Sequence, residues 1–271
     1  MEMPKRIALV LSAALSLVAS SAFSEEKPFI TLATTTSTQD SGLLDAILPK
    51  FTAQSGIEVR VVSVGTGRAL EIGRAGDADV VLVHDRAAED AFVAEGHARE
   101  RRAVMYNDFL IVGPKSDPAG AKGANVVAAF ARIADRGAKF ISRGDDSGTH
   151  KAELRYWAAA ARDPKPASGR WYIEAGGGMA TTLGMAGELQ AYTLTDRSTW
   201  LALSNRRGLV EMVSGDARLL NRYSVMVVDP AKHPGVKADL GQKLADWLTG
   251  AAGRSAIAAF KVGGEQVFFL E

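Results

Sequence analysis

Apolar and polar positions along this chain alternate between two periods. In "PFITLATTT" a short β-rich run ends in hydroxyls, and "SGLLDAILPKFTAQSG" follows with Leu43, Leu44, Ile47 and Phe51 at helical spacing. Gly56 stops that helix. "IEVRVVSVG" reads as a second strand and "TGRALEIGRAG" as a short helix with its own glycine stop. "ADVVLVHD" is a third strand, apolar enough to be buried on both faces, and "RAAEDAFVAEGHA" is another helix. This βαβαβα order predicts an α/β fold in which helices cover a parallel or mixed sheet. Pro49 falls inside the first helical pattern and is expected to kink it.

The pattern then changes. "YNDFLIVGPKSDP" is a strand that leaves through Pro and Gly, and "VVAAFARIADRG" is a helix. "AKFISRGD" and "WYIEAGGG" read as strands, each followed by a helix, "SGTHKAELRYWAAAAR" and "MATTLGMAGELQ". "DPKPASG" is the clear loop cluster. "AYTLTDRSTWLALS" gives a strand and a helix start, "YSVMVVDP" a last strand, and "ADLGQKLADWLTGAAGRSAIAAF" a C-terminal pair of helices. The apolar segments near 106–113 and 223–230 read as chain crossings between two lobes. One lobe is expected from 25–108 with 224–271, the other from 109–223, and a ligand is expected in the cleft between them, at strand ends.

Residues 1–24 stand apart from this pattern. Lys5 and Arg6 precede an apolar run from Ile7 to about Val18, and "ASSAFS" supplies small residues for cleavage after Ser24. The run is shorter than the roughly 20 residues of a membrane span, so a cleaved secretory signal peptide is expected and no direct membrane insertion. The leader carries Lys5, Arg6 and Glu2 of a chain with formal charge +1, so the remainder of the chain is neutral. No basic tail marks nucleic acid as a partner. The chain has no cysteine, which removes thiol chemistry, cysteine metal sites and a lipid anchor at Cys. The expected location is the periplasm of a Gram-negative cell, as a monomer.

Three stretches carry candidate chemistry, and each places hydroxyls and glycines between a strand and a helix. In the first, Thr34, Thr35, Thr36, Ser37 and Thr38 offer hydroxyls and free N–H groups at a helix entrance. Alone, that cluster reads equally as N-caps. The second is "SVGTGRAL", where Gly65 and Gly67 flank Thr66 and allow close backbone approach; it lacks P-loop spacing and reads equally as an ordinary turn. The third is "SRGDDSGTH". Arg143 ends a strand and can hold an oxyanion by charge-assisted bonds, with Ser147, Gly148 and Thr149 at the next helix start. Arg143 can instead pair with Asp145 or Asp146, or one of these can brace it as it clamps a ligand. Tyr192 reads as a core residue, and "EAGGGMATTL" as a further glycine-to-helix junction. His84, His97, His150 and His233 are scattered without metal spacing and read as surface or structural residues. A serine hydrolase built on Ser147 or Ser37 would need a base within reach, and no G-x-S-x-G elbow is present.

In "ATTTSTQDSGLLDAILPKF", "SVGTGRAL", "DADVVLVHD", "YNDFLIVGP" and "FISRGDDSGTHKAEL" the chain resembles the tungstate-binding TupA family, solute-binding proteins of ABC importers. The resemblance covers essentially all of the chain after the leader. It implies the two-lobed type II periplasmic-binding fold and a tetrahedral oxyanion in the cleft, tungstate before molybdate, with sulfate and phosphate as alternatives. It implies a membrane permease as partner, no enzymatic activity, no cofactor, and no metal bound directly, since tungsten or molybdenum would be held through its oxygens. Thr35, Thr36, Ser37, Thr66, Gly67, Arg143, Ser147, Gly148 and Thr149 match the family's binding positions.

Overall fold

The computed structural model describes residues 27–271. The leader expected over 1–24 lies outside the described residues. The first elements follow the sequence pattern: β1 (Phe29–Thr35), α1 (Thr36–Asp40), α2 (Leu43–Ser55), β2 (Glu58–Val64), α3 (Thr66–Ala75), β3 (Val80–Val83) and α4 (Arg86–Ala94). Gly56 and Gly76 end α2 and α3 in the left-handed conformation that glycine adopts without penalty. α2 continues through Pro49 without interruption, the proline on the exposed face.

β4 (Arg102–Pro114) is the longest strand, and α5 (Val126–Asp135), β5 (Phe140–Ser142) and α6 (Gly148–Ala159) follow it. Next come β6 (Tyr172–Glu174), α7 (Met179–Leu189), β7 (Thr193–Asp196), α8 (Arg197–Ala202), β8 (Leu209–Val213) and β9 (Leu220–Val227). α9 (Ala238–Thr249) and α10 (Ala251–Ala258) form the C-terminal helical pair, and β10 (Lys261–Val262), β11 (Glu265–Gln266) and β12 (Phe269–Leu270) close the chain. No helix among the described residues is long and apolar enough to cross a membrane.

The main sheet is mixed, in the order β12-β4-β9-β3-β1-β2. β1 is parallel to β2 and β3, whereas β9 is antiparallel to β3 and β4. β4 changes partners along its length. From Arg102 to Asp108 it pairs with β9, and from Phe109 onward with β7 and β8. One strand therefore runs through two packed regions.

Each region has apolar clusters on both faces of its sheet. Around β1 and β3, Leu32, Leu44, Phe51, Val225 and Phe268 pack together on one side, and Ala33, Leu70, Val81 and Phe92 on the other. That double cover is why β3 reads as an unbroken apolar run. Beyond Asp108 the alternation of β4 does the same: Phe109 and Ile111 join Phe130, Phe140 and Trp157, while Leu110 and Val112 join Ile141, Leu183 and Trp200. Tyr192 belongs to the first of these clusters, and its hydroxyl donates to Asp117 at 2.7 Å.

Candidate functional site

Strand register brings the first two hydroxyl clusters together. Thr34 lies opposite Ser63 and Thr35 opposite Val64 in the parallel β1–β2 pair, so the starts of α1 and α3 are neighbours at the carboxyl edge of the sheet. Thr34 itself faces inward and donates to the Leu82 carbonyl at 2.8 Å. The third cluster, on the loop from β5 to α6, meets them from the other region. A Cβ on Gly148 would lie 2.5 Å from Cε1 of His84 and 3.0 Å from Oγ1 of Thr66, and one on Gly65 would lie 3.5 Å from the Asp145 carbonyl oxygen. The two regions thus touch at a seam between the start of α6 and the ends of β1–β3.

Arg143 is 2 % exposed at this seam. Its Nη2 donates to Asp145 Oδ2 at 2.5 Å and reaches Thr36 Oγ1 at 3.5 Å. Its Nε and Nη1 are buried without a protein partner, and so are the hydroxyls of Thr66 and Thr149. Leaving a buried donor unmatched costs about 1–3 kcal/mol, more when it is charged. Four such atoms around one seam fit a guest that accepts hydrogen bonds and carries negative charge. Ser147 caps α6: its Oγ accepts from the His150 N–H, which leaves its own proton available to a ligand.

The two aspartates of this loop are engaged elsewhere. Asp145 Oδ1 accepts the Ser147 N–H at 3.2 Å while Oδ2 holds Arg143, so Asp145 is the brace. Asp146 is exposed and lies 3.5 Å from Lys151 Nζ. Gly67 leaves room for that carboxylate, since a Cβ there would lie 2.5 Å from Asp146 Oδ2. Behind Arg143, Ser142 accepts the Gly144 N–H and donates to the buried Glu153 at 2.7 Å. Trp157 Nε1 and the Tyr172 hydroxyl also donate to Glu153, yet burial pushes its carboxyl up to about 7. Among the described residues no group of three His, Asp or Glu is arranged to hold a metal ion.

Thr35 and Ser37 are less free than their sequence position implies. Thr35 caps α1 and shares a 2.6 Å hydrogen bond with Thr38 Oγ1. Both hydroxyls also meet a histidine whose sequence context marks it only as surface or structural. His84, at the end of β3 and 5 % exposed, places Nε2 3.2 Å from Thr35 Oγ1 and 3.4 Å from Ser37 Oγ. Its Nδ1 lies 2.9 Å from Asn221 Oδ1. Asn221 donates through Nδ2 to Asn107 Oδ1 and to the Tyr223 hydroxyl. The available signal is position: His84 directly follows a fully buried strand next to the hydroxyl-bearing end of β1.

Sequence and structure comparisons relate the chain to known proteins. A PBP superfamily domain model matches residues 20–252. A tungstate-binding protein TupA from Peptoclostridium acidaminophilum is 47% identical over 239 residues, or 87% of this chain and 82% of that protein. Among solved structures, the tungstate-binding protein TupA from Desulfovibrio alaskensis G20 is 44% identical with a TM-score of 0.79, over 90% of this chain and 99% of its own. The tungstate ABC transporter structure from Geobacter sulfurreducens is 50% identical with a TM-score of 0.77, over 86% of this chain and 98% of its own.

Proposed function

The chain belongs to the PBP superfamily and, within it, to the TupA family of tungstate-binding proteins, and from that premise we propose that it captures tungstate in the seam and delivers it to the permease of an ABC importer. The observation that carries the reading is the set of buried unmatched donors: Arg143 Nε and Nη1 with the hydroxyls of Thr66 and Thr149. Thr35, Thr36, Ser37, Ser147 and the N–H of Gly148 complete the ligand shell, Thr35 also orders the α1 entrance, and Gly67 lets the loops approach.

Capture proceeds by closure of two lobes, 25–108 with 224–271 against 109–223, about the crossing of β4 at Asp108. The anion binds donors of one lobe and the other lobe then covers it; only its stronger binding to the closed form drives the change. The engagement of both Asp145 oxygens favours an anion without a proton. Phosphate at neutral pH brings a proton that needs an acceptor, whereas tungstate, molybdate and sulfate do not. The protein works in the periplasm as a monomer after removal of the leader over 1–24.

Ser37, His84 and Asn221 have the connectivity of a nucleophile, base and orienting group. Burial pulls His84 down to about 4, which makes it a weak base, and we assign no catalytic step to it. Calorimetry with tungstate, molybdate, sulfate and phosphate tests the reading. Tungstate is expected to bind tightest and phosphate weakest; equal or stronger binding of phosphate overturns it.

A further inference from the structure

His84 is the one histidine whose ring touches the hydroxyls of the α1 entrance, the seam and the crossing strands together. Asn107 of β4 lies opposite Asn221 of β9 in the ladder, so the pair ties both crossings to this ring. Asn221 spends its amide hydrogens on Asn107 Oδ1 at 2.7 Å and on the Tyr223 hydroxyl at 2.9 Å. Its oxygen is therefore what faces His84 Nδ1, at 2.9 Å, and an amide oxygen only accepts. With the Asn221 amide in that orientation the ring proton is assigned to Nδ1, and Nε2 presents a lone pair to Thr35 and Ser37. One of those hydroxyls must aim its proton at the ring instead of at a guest in the cleft.

We propose that His84 is a positioning residue through which anion capture takes up a proton: once protonated, Nε2–H donates to Thr35 and Ser37, and both hydroxyls turn their own protons toward the anion. The idea rests on the anion-binding reading above and extends it to how the charge is balanced. The proton comes from solvent; no covalent bond in the anion is made or broken. A dianion entering the seam brings two negative charges next to a ring against which Gly148 is already packed, and that favours the imidazolium.

The groups around the ring set the starting point. Asp85 beside it and Asp196 from the β7–α8 junction favour the charged ring, as does its bond to Asn221, while Arg143 from the β5–α6 loop opposes it. Tyr223 from β9 packs against the ring at a tilt, 4.7 Å between ring centroids. Burial is the largest influence and holds the ligand-free ring down to about 4, so it is neutral in ordinary buffers. Capture raises it, and proton uptake occurs wherever the pH lies between the two values.

The test is calorimetry of tungstate binding at about pH 6, in two buffers of different ionisation heat, with affinity then followed to about pH 8. The native protein is expected to absorb up to one proton per anion, with affinity rising as the pH falls, by at most tenfold per pH unit. His84→Gln is expected to bind more weakly and to lose that uptake. Asp40→Asn, Glu153→Gln and His150→Gln, which remove other titrating groups near Arg143, are expected to keep it. Independently of any variant, nitrogen NMR of the native protein should report the Nδ1–H tautomer before tungstate and an imidazolium at His84 after it. Tungstate binding with no proton uptake, uptake undiminished in His84→Gln, or a ring that stays neutral in the complex overturns the proposal. Loss of tungstate binding by the native protein itself would instead sink the anion reading.

Discussion

Gly148→Ala separates closure from folding. Gly148 opens α6, and its φ is not in the left-handed range, so alanine suits the backbone there and helix propensity if anything favours it. The added Cβ would nevertheless stand 2.5 Å from Cε1 and 2.7 Å from Nδ1 of His84, where ordinary contacts begin at 3.4 Å. Neither ring atom belongs to a flexible chain end: Nδ1 is tied to Asn221, and Tyr223 packs against the ring at 4.7 Å. The seam must open by close to an ångström, and overpacking of that kind costs about 1–3 kcal/mol. Because the contact joins the two lobes, the loss should appear in the closed, ligand-bound form, as about a 5- to 150-fold weaker affinity for tungstate. Calorimetry reads the affinity, small-angle scattering the closure, and a thermal melt without ligand the fold. The melting temperature without ligand should match the native protein. Affinity within twofold of native refutes the reasoning. So does an equal destabilisation of the ligand-free protein, which would make the seam a permanent contact.

Arg143→Ala removes a buried charged donor with two unmatched nitrogens and should weaken tungstate binding by about 1.5–3 kcal/mol, or at least tenfold, by calorimetry. Asp145→Asn should lower affinity as well, since it releases Arg143, and should narrow the gap between tungstate and phosphate in a thermal-shift comparison. Arg155→Ala breaks a 3.4 Å ion pair to Asp85 across the seam, but Arg155 is 54% exposed, so affinity should fall less than about fivefold. Glu153 is raised in the fold to about 7 from an ordinary 4.5, so its contribution is fully present below about 4.5 and is lost as the pH rises through about 7. Thermal melts of Glu153→Gln from about pH 5 to 8 should fall less steeply than those of the native protein.

Much of the fold was legible because local chemistry and tertiary packing agree. Gly56 and Gly76 stop helices where the pattern ends, and the apolar run of β3 announces burial on both faces. β8 was not legible: Leu209–Val213 lies between Arg206, Arg207 and the turn residues Gly215 and Asp216, and it becomes a strand by pairing with β4. The two-residue strands after α10 likewise depend on partners; Phe269 and Leu270 pair with Tyr106 and Met105 far earlier in the chain. The three donor clusters were legible because each lies at a strand-to-helix junction. The His84, Asn221 and Asn107 chain was not, because its members meet only through sheet register across more than a hundred residues.

β4 passes from one ladder into the other without a break, and β9 lies beside it up to the pairing of Leu220 with Asp108. A joint of two hydrogen-bonded strands resists shear and stretch far more than twist and bend. Under the proposed closure the molecule would act as a jaw on a leaf spring, moving along one arc and returning to register each time. Residues lining the bite can change without retuning the spring, and a change in the spring alters every guest's grip alike.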